Sequence, residues 1–324
     1  MSESWQLPER EVTPESAVLS RRRWLKRAAL IGAPTLAGGA AFWWWYRGTD
    51  LEVVMRGLYE GPGANLYPAR RNPDFKEADR PISPEVPVAR YCNFYEFSKT
   101  KQVWRYVEPF QPVPWQLEVT GLVAKPRTYD QDSLVRAFPL EERVYRHRCV
   151  EAWAMVVPWT GFPLAKLIRA AEPLTEARFV RFVSFDRPQE ASRQSRQPGR
   201  QEPWPYTEGL TLAEATNELA FIATGMYGHP LLKQHGAPVR LVVPWKYGYK
   251  SAKSIVRIVL TDVKPATFWN TLVPWEYDFQ ANVNPDVRHR RWSQAHERML
   301  GTGEMYETQI YNGYGEWVAG LYRS

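Results

Sequence analysis

From residue 91 onward the chain breaks into short apolar runs separated by Gly, Pro and polar clusters. Residues 115–120 alternate apolar and polar positions, which predicts a half-buried strand ended by Gly121. Residues 144–148 predict another short strand, delivering Cys149 at its C-terminal end. Leu164, Leu167, Ile168 and Ala171 recur at helical spacing, and Pro163 suits a helix start, where its missing N–H costs nothing. The preceding Trp159-Thr160-Gly161-Phe162-Pro163 reads as a turn leading into that helix. Residues 178–185, 239–243 and 255–260 read as strands and 212–219 as a short helix. Residues 186–206 read as a long polar loop, and the aromatic tail 311–322 as a closing helix. Strands and helices mix without βαβ alternation. The expectation is one α+β domain over 91–324, with mixed β-sheets and short helices. Residues 47–90, rich in Pro, Gly and Arg, are expected to form an extended lead-in over its surface.

Composition narrows the function. The 324 residues include 15 Trp and 27 Pro, which favour a rigid, loop-rich, aromatic fold over a helical bundle. There is no run of several membrane helices, which argues against a channel or transporter. The net charge of +7 is mild, and no Lys/Arg stripe or nucleic-acid motif accompanies it, so no nucleic-acid partner is expected. Neither a dinucleotide-binding glycine fingerprint nor a phosphate-loop or nucleophile-elbow motif is present. The five histidines show no metal-ligand spacing.

The N-terminus reads as an address. Ser20-Arg21-Arg22-Arg23-Trp24-Leu25-Lys26-Arg27 precedes 19 uncharged residues, 28–46. A twin arginine before a mildly apolar stretch is the pattern of a Tat export signal, spanning 1–46. Gly39 and Ala41 offer small residues for cleavage before Phe42, but the stretch could also stay as an anchor with its terminal aromatics at the interface. The Tat route carries folded proteins, so it suits a chain loaded with a complex cofactor in the cytoplasm before export to the periplasm.

The chemistry centres on two cysteines, Cys92 and Cys149. Two cannot make a four-cysteine zinc or iron–sulfur site. Arg146 and Arg148 share one face of an extended strand, with His147 on the other. A nearby cation favours a thiolate at Cys149, the form that binds a soft metal. Arg240, Lys246, Lys250 and Lys253 interleave with aromatic and Gly residues, which suits a turn around an anion.

The segment from Arg143 through Cys149 to Leu164 closely resembles the molybdenum-binding region of the periplasmic protein-methionine-sulfoxide reductases, within the sulfite-oxidase-like molybdopterin family. So do the segment 90–97, Arg-Tyr-Cys-Asn-Phe-Tyr-Glu-Phe, and the segment 235–250, which holds Pro244-Trp245-Lys246-Tyr247-Gly248. Asn282-Val283-Asn284-Pro285, Arg291-Trp292-Ser293-Gln294-Ala295 and the leader match as well. The resemblance implies a sulfite-oxidase-like fold and one molybdenum-molybdopterin per chain, with Cys149 as metal ligand and catalytic residue. It implies cofactor contacts at Cys92, Tyr95, Glu96, Ser184, His235, Arg240, Ser251, Ala252 and Lys253. Cys92 stands where the family pattern has Asn, Ser184 where it has Thr, and His235 where Asn can occur. The implied activity is reduction of methionine sulfoxide in oxidised periplasmic proteins, with electrons from a haem-containing membrane subunit. Sulfite-oxidase-type oxidation on the same cofactor and a cofactor-free exported binding protein are the alternatives.

Overall fold

The computed structural model describes residues 52–195 and 202–323. The expected leader (1–46) and part of the loop 186–206 lie outside them. Two sheets carry the fold. The smaller has the order β2-β1-β10-β5-β6, from β2 (Arg127–Asp130), β1 (Gln116–Gly121), β10 (Ile255–Thr261), β5 (Phe179–Ser184) and β6 (Thr207–Thr211). β1 and β10 pair in parallel, and the other pairs are antiparallel. In β1 the side chains alternate as expected, with Leu117 and Val119 inward.

The larger sheet is built around β4 (Trp153–Pro163). Along one edge lies β3 (Glu141–Arg148), antiparallel, in register from Arg148↔Ala154 to Glu141↔Gly161. The other edge is shared. β11 (His296–Met299) pairs with its start and β7 (Phe221–Met226) with its end. β8 (His229–Pro230) and β9 (Arg240–Val242) pair with β7, and β12 (Met305–Glu307) with β11.

Residues 159–163 are therefore strand, not the turn their sequence suggests. Every residue of β4 is buried, so both faces are covered and polar alternation is absent. Gly161 has a structural reason: a Cβ there would sit 1.9 Å from the Ile222 carbonyl, beside a register shift between β4 and β7. β7, absent from the sequence reading, is buried throughout for the same reason.

The helix after β4 forms as expected. It spans Leu164–Ala171, follows Pro163, and buries Leu164, Leu167, Ile168 and Ala171. The lead-in differs from expectation. Among its described residues are a helical turn at 52–55, two 3-10 turns and a helix, Glu85–Arg90, which buries Val88 and Ala89. Its Arg80, almost fully buried, forms an ion pair with Glu297 of β11. The tail forms a broken helix, with an α segment at Gly315–Val318 between 3-10 turns. No helix among the described residues is long and apolar enough to cross a membrane.

Candidate functional site

The turn between β3 and β4 sets the site. Cys149 opens it, with its N–H bonded to the Trp153 carbonyl at 2.9 Å and its carbonyl accepting from the Ala152 N–H at 3.0 Å. Ala152 closes the turn at φ 62°, in the left-handed region. The Arg148 guanidinium also donates to the Cys149 carbonyl. Gln294 donates to the Val150 carbonyl at 2.7 Å. Arg148 is held in turn by Glu297 at 2.9 Å, and neither is more than 1% exposed. Alternation along β3 puts His147 on the same face as Cys149 and sends Arg146 to Asp79 and Gln309 on the other.

That face opens on a cavity whose space, together with its solvent-open mouth, is about 750 Å³. Of the residues singled out by sequence, Cys92, Tyr95, Glu96, Cys149, His235, Arg240, Ser251 and Lys253 line it. Ser184 and Ala252 do not. They are buried behind the lining, with Ser184 Oγ lacking a hydrogen-bond partner. Lys246 and Lys250 are not in the lining either. They form buried ion pairs with Glu214 at 2.5 Å and Glu208 at 2.9 Å.

The remaining bases converge. His147, His235, Arg240 and Lys253 line the same cavity. Burial first, then mutual repulsion, lowers the pKa of His147 well below its ordinary value and that of His235 to about 3. Burial lowers Arg240 to about 10 and, with the repulsion of Arg240, Lys253 to about 8. Arg240 spends Nη1 on the His235 carbonyl at 2.9 Å, while its Nη2 and His235 Nε2 have no hydrogen-bond partner. Gly236, at φ 95°, lets Lys253 approach: a Cβ there would lie 2.7 Å from the Lys253 Cβ. Gly248 does the same for His147, whose Nε2 would lie 2.5 Å from a Cβ. Buried donors without acceptors, beside repelling cations, fit a polyanionic ligand.

The thiol departs from expectation. Arg148 reaches the Cys149 carbonyl rather than its sulfur, and burial together with Glu151 pushes the thiol up to about 12. Cys92 is likewise pushed up, to about 11, and donates to the Gln234 carbonyl at 3.4 Å. Both cysteines are free thiols. A cluster at the mouth was not singled out in the sequence. Lys101 pairs with Glu151 and donates to Asn93, whose Nδ2 lies 3.5 Å from Cys149 Sγ. The segments 90–97 and 143–164, which contain Asn93 and Glu151, signalled two of its members, and Lys101 had no signal. Among the described residues no group of three His, Cys, Asp or Glu could hold a metal, so a metal at Cys149 must bring further ligands with it.

The depressed His235 predicts an acid-labile cofactor-free protein. Unfolded His235 takes up a proton below about pH 6.5 that the folded form refuses until about pH 3, so stability falls as pH drops through that window. In His235→Asn, urea denaturation of the cofactor-free protein at pH 4 to 6 should show about one proton fewer taken up on unfolding.

The oxidoreductase molybdopterin binding domain family matches residues 105–269. The chain is 44% identical to the protein-methionine-sulfoxide reductase catalytic subunit MsrP of Burkholderia mallei, over 98% of this chain and 93% of that protein. It is 45% identical to the proteins of the same name from Ralstonia nicotianae, with coverages of 98% and 93%, and Gluconobacter oxydans, with 97% and 94%. Among solved structures, the sulfane dehydrogenase SoxCD from Paracoccus pantotrophus is similar at a TM-score of 0.42 and 20% identity, over 57% of this chain and 46% of that one. That last likeness is too slight to decide anything. The matches over nearly the full length, with a molybdopterin-binding domain that includes Cys149 and the four basic residues of the cavity, place this chain in the family of protein-methionine-sulfoxide reductase catalytic subunits.

Proposed function

We propose that the chain reduces methionine sulfoxide in oxidised proteins to methionine, with a molybdenum-molybdopterin bound in the cavity. The observation that carries this is the meeting, in one cavity, of the Cys149 thiol with four desolvated bases. Cys149 Sγ would ligate the metal as a thiolate, losing its proton on metal binding. Arg240, His235 and Lys253 would take the phosphate of the pterin, with Ser251 and Ala252 on the same loop as Lys253. Cys92 and Glu96 would flank the pterin, Tyr95 would stand between it and the mouth, and Ser184 would support them from behind the lining. When bound, the cofactor would supply two-electron oxygen-atom-transfer chemistry.

The balance is one sulfoxide, two electrons and two protons giving one thioether and one water. The chain's residues bind and orient. Glu151, paired with Lys101 and accepting from the Trp153 indole at 3.2 Å, keeps a fixed carboxylate beside the thiol. Its pKa is held below the usual carboxylate range by Lys101, against its own burial. Asn93 and Tyr95 at the mouth keep partial exposure, which suits a side chain presented by a protein.

The chain has no C-x-x-C-H haem attachment, so electrons come from another subunit. The relatives are named as catalytic subunits. A haem-containing membrane subunit as donor, and a periplasmic site of action reached by the Tat route, complete the proposal.

Cys149→Ser should leave a folded chain and lower sulfoxide reduction by more than about a hundredfold, since a soft ligand is lost with little change in volume. Steady-state reduction of an oxidised peptide with an artificial donor checks this, and wild-type rates in the Ser protein would refute the ligand role. Arg21→Lys with Arg22→Lys should keep active enzyme in the cytoplasm, because charge is conserved and only the receptor's reading of the arginine pair is lost. Normal periplasmic levels on fractionation would refute the Tat address.

A further inference from the structure

A second wall of the same cavity is aromatic. Trp269, on the helix Phe268–Leu272, packs edge-on to Tyr95 with ring centroids 4.9 Å apart and lies against Tyr277 at 5.0 Å. Tyr249 meets Tyr277 edge-on at 5.1 Å. All four line the cavity that holds Cys149. Tyr277 is buried, whereas Tyr95, Tyr249 and Trp269 keep partial exposure, so the wall runs from the interior to the mouth. Arg291 fixes Tyr277 through a 3.2 Å hydrogen bond to its hydroxyl and a 2.5 Å ion pair to Glu276. Tyr95, Tyr277 and Trp269 share the cavity lining with Cys149 and Glu151, so the wall is near the thiol.

Such a wall suits a group that is apolar but electron-poor. In a sulfoxide the sulfur carries partial positive charge, and the carbons bonded to it are polarised the same way. Aromatic faces are negative, so they attract an electron-poor sulfur and the carbons beside it. The sulfoxide oxygen, in contrast, gains nothing from the ring faces and is left to point into the cavity.

We propose that Trp269, with Tyr95 and Tyr277, forms the subsite that grips the hydrocarbon and S-methyl group of a methionine sulfoxide side chain reaching in from a polypeptide. The inference rests on the reductase reading above and adds to it the residue that sets substrate affinity. Trp269 serves the substrate and not the cofactor.

The test uses the molybdenum-loaded enzyme and a short peptide with one methionine sulfoxide. Without reductant there is no turnover, so calorimetry reads binding alone. Trp269→Leu should weaken binding about tenfold, the equivalent of about 1.4 kcal/mol, and raise KM to match. Molybdenum content and the Mo(V) resonance spectrum should be unchanged, with kcat within about twofold of wild type. Trp269→Met, which refills the gap, carries the same expectation should the Leu protein fold poorly, and Trp269→Phe should recover most of the affinity. Unchanged affinity in a variant that still reduces the peptide overturns this inference alone. A folded variant that loses molybdenum or alters the resonance also overturns it, by assigning the wall to the pterin. A wild-type enzyme that reduces no sulfoxide overturns the reductase reading and this inference with it.

Discussion

Four basic groups held out of water in one cavity are a cost that the fold must offset. Burial disfavours the charge on each of His147, His235, Arg240 and Lys253, leaving both histidines neutral while Arg240 repels Lys253. No carboxylate neutralises Arg240, and its Nη2 is left without a hydrogen-bond partner. Elsewhere the same chain pairs its buried cations with care, as Lys246 with Glu214 and Lys250 with Glu208. The contrast separates structural charges from charges that await a ligand. A polyanion entering the cavity would relieve the repulsion and supply the missing acceptors, and under the proposed function would couple cofactor binding to stability.

The thiol depends on a second arrangement. Cys149 lies on a four-residue turn whose backbone is gripped from outside the cavity by Arg148 and Gln294. Arg148 is positioned by Glu297, and Glu297 also binds Arg80 from the lead-in. Removing one partner of such a buried cluster costs about 3–5 kcal/mol, because the remaining charge is stranded. The lead-in is thereby tied to the turn that carries the sulfur, through one carboxylate on β11. The left-handed Ala152 also needs this support, since an isolated turn would not hold it.

Much of this was legible in the sequence where local rules decide. β1 alternates and was found; the helix Leu164–Ala171 has its spacing and its proline and was found. The period of two put Arg146 and Arg148 on one face of β3 and His147 on the other. What failed was decided by tertiary burial. β4 and β7 are covered on both faces, so they lack alternation, and Trp159 through Pro163 passed for a turn. Lys246 and Lys250 matched the basic pattern of the loop, yet their partners Glu214 and Glu208 are distant in sequence. The expected cation beside the Cys149 sulfur proved to reach its carbonyl, a distinction of side-chain direction that sequence does not carry. The mouth cluster of Lys101, Asn93 and Glu151 joins segments about 50 residues apart, and only the fold brings them together.

The central claim is that Cys149 completes the coordination of a molybdenum whose other sulfurs come from one pterin bound at the basic groups. Molybdenum X-ray absorption on the purified, loaded protein counts those sulfurs directly. The account predicts about one molybdenum per chain with a shell of three sulfurs, of which one is replaced by a lighter atom in Cys149→Ser. A wild-type shell of two sulfurs, or a shell unaltered by the substitution, would contradict it.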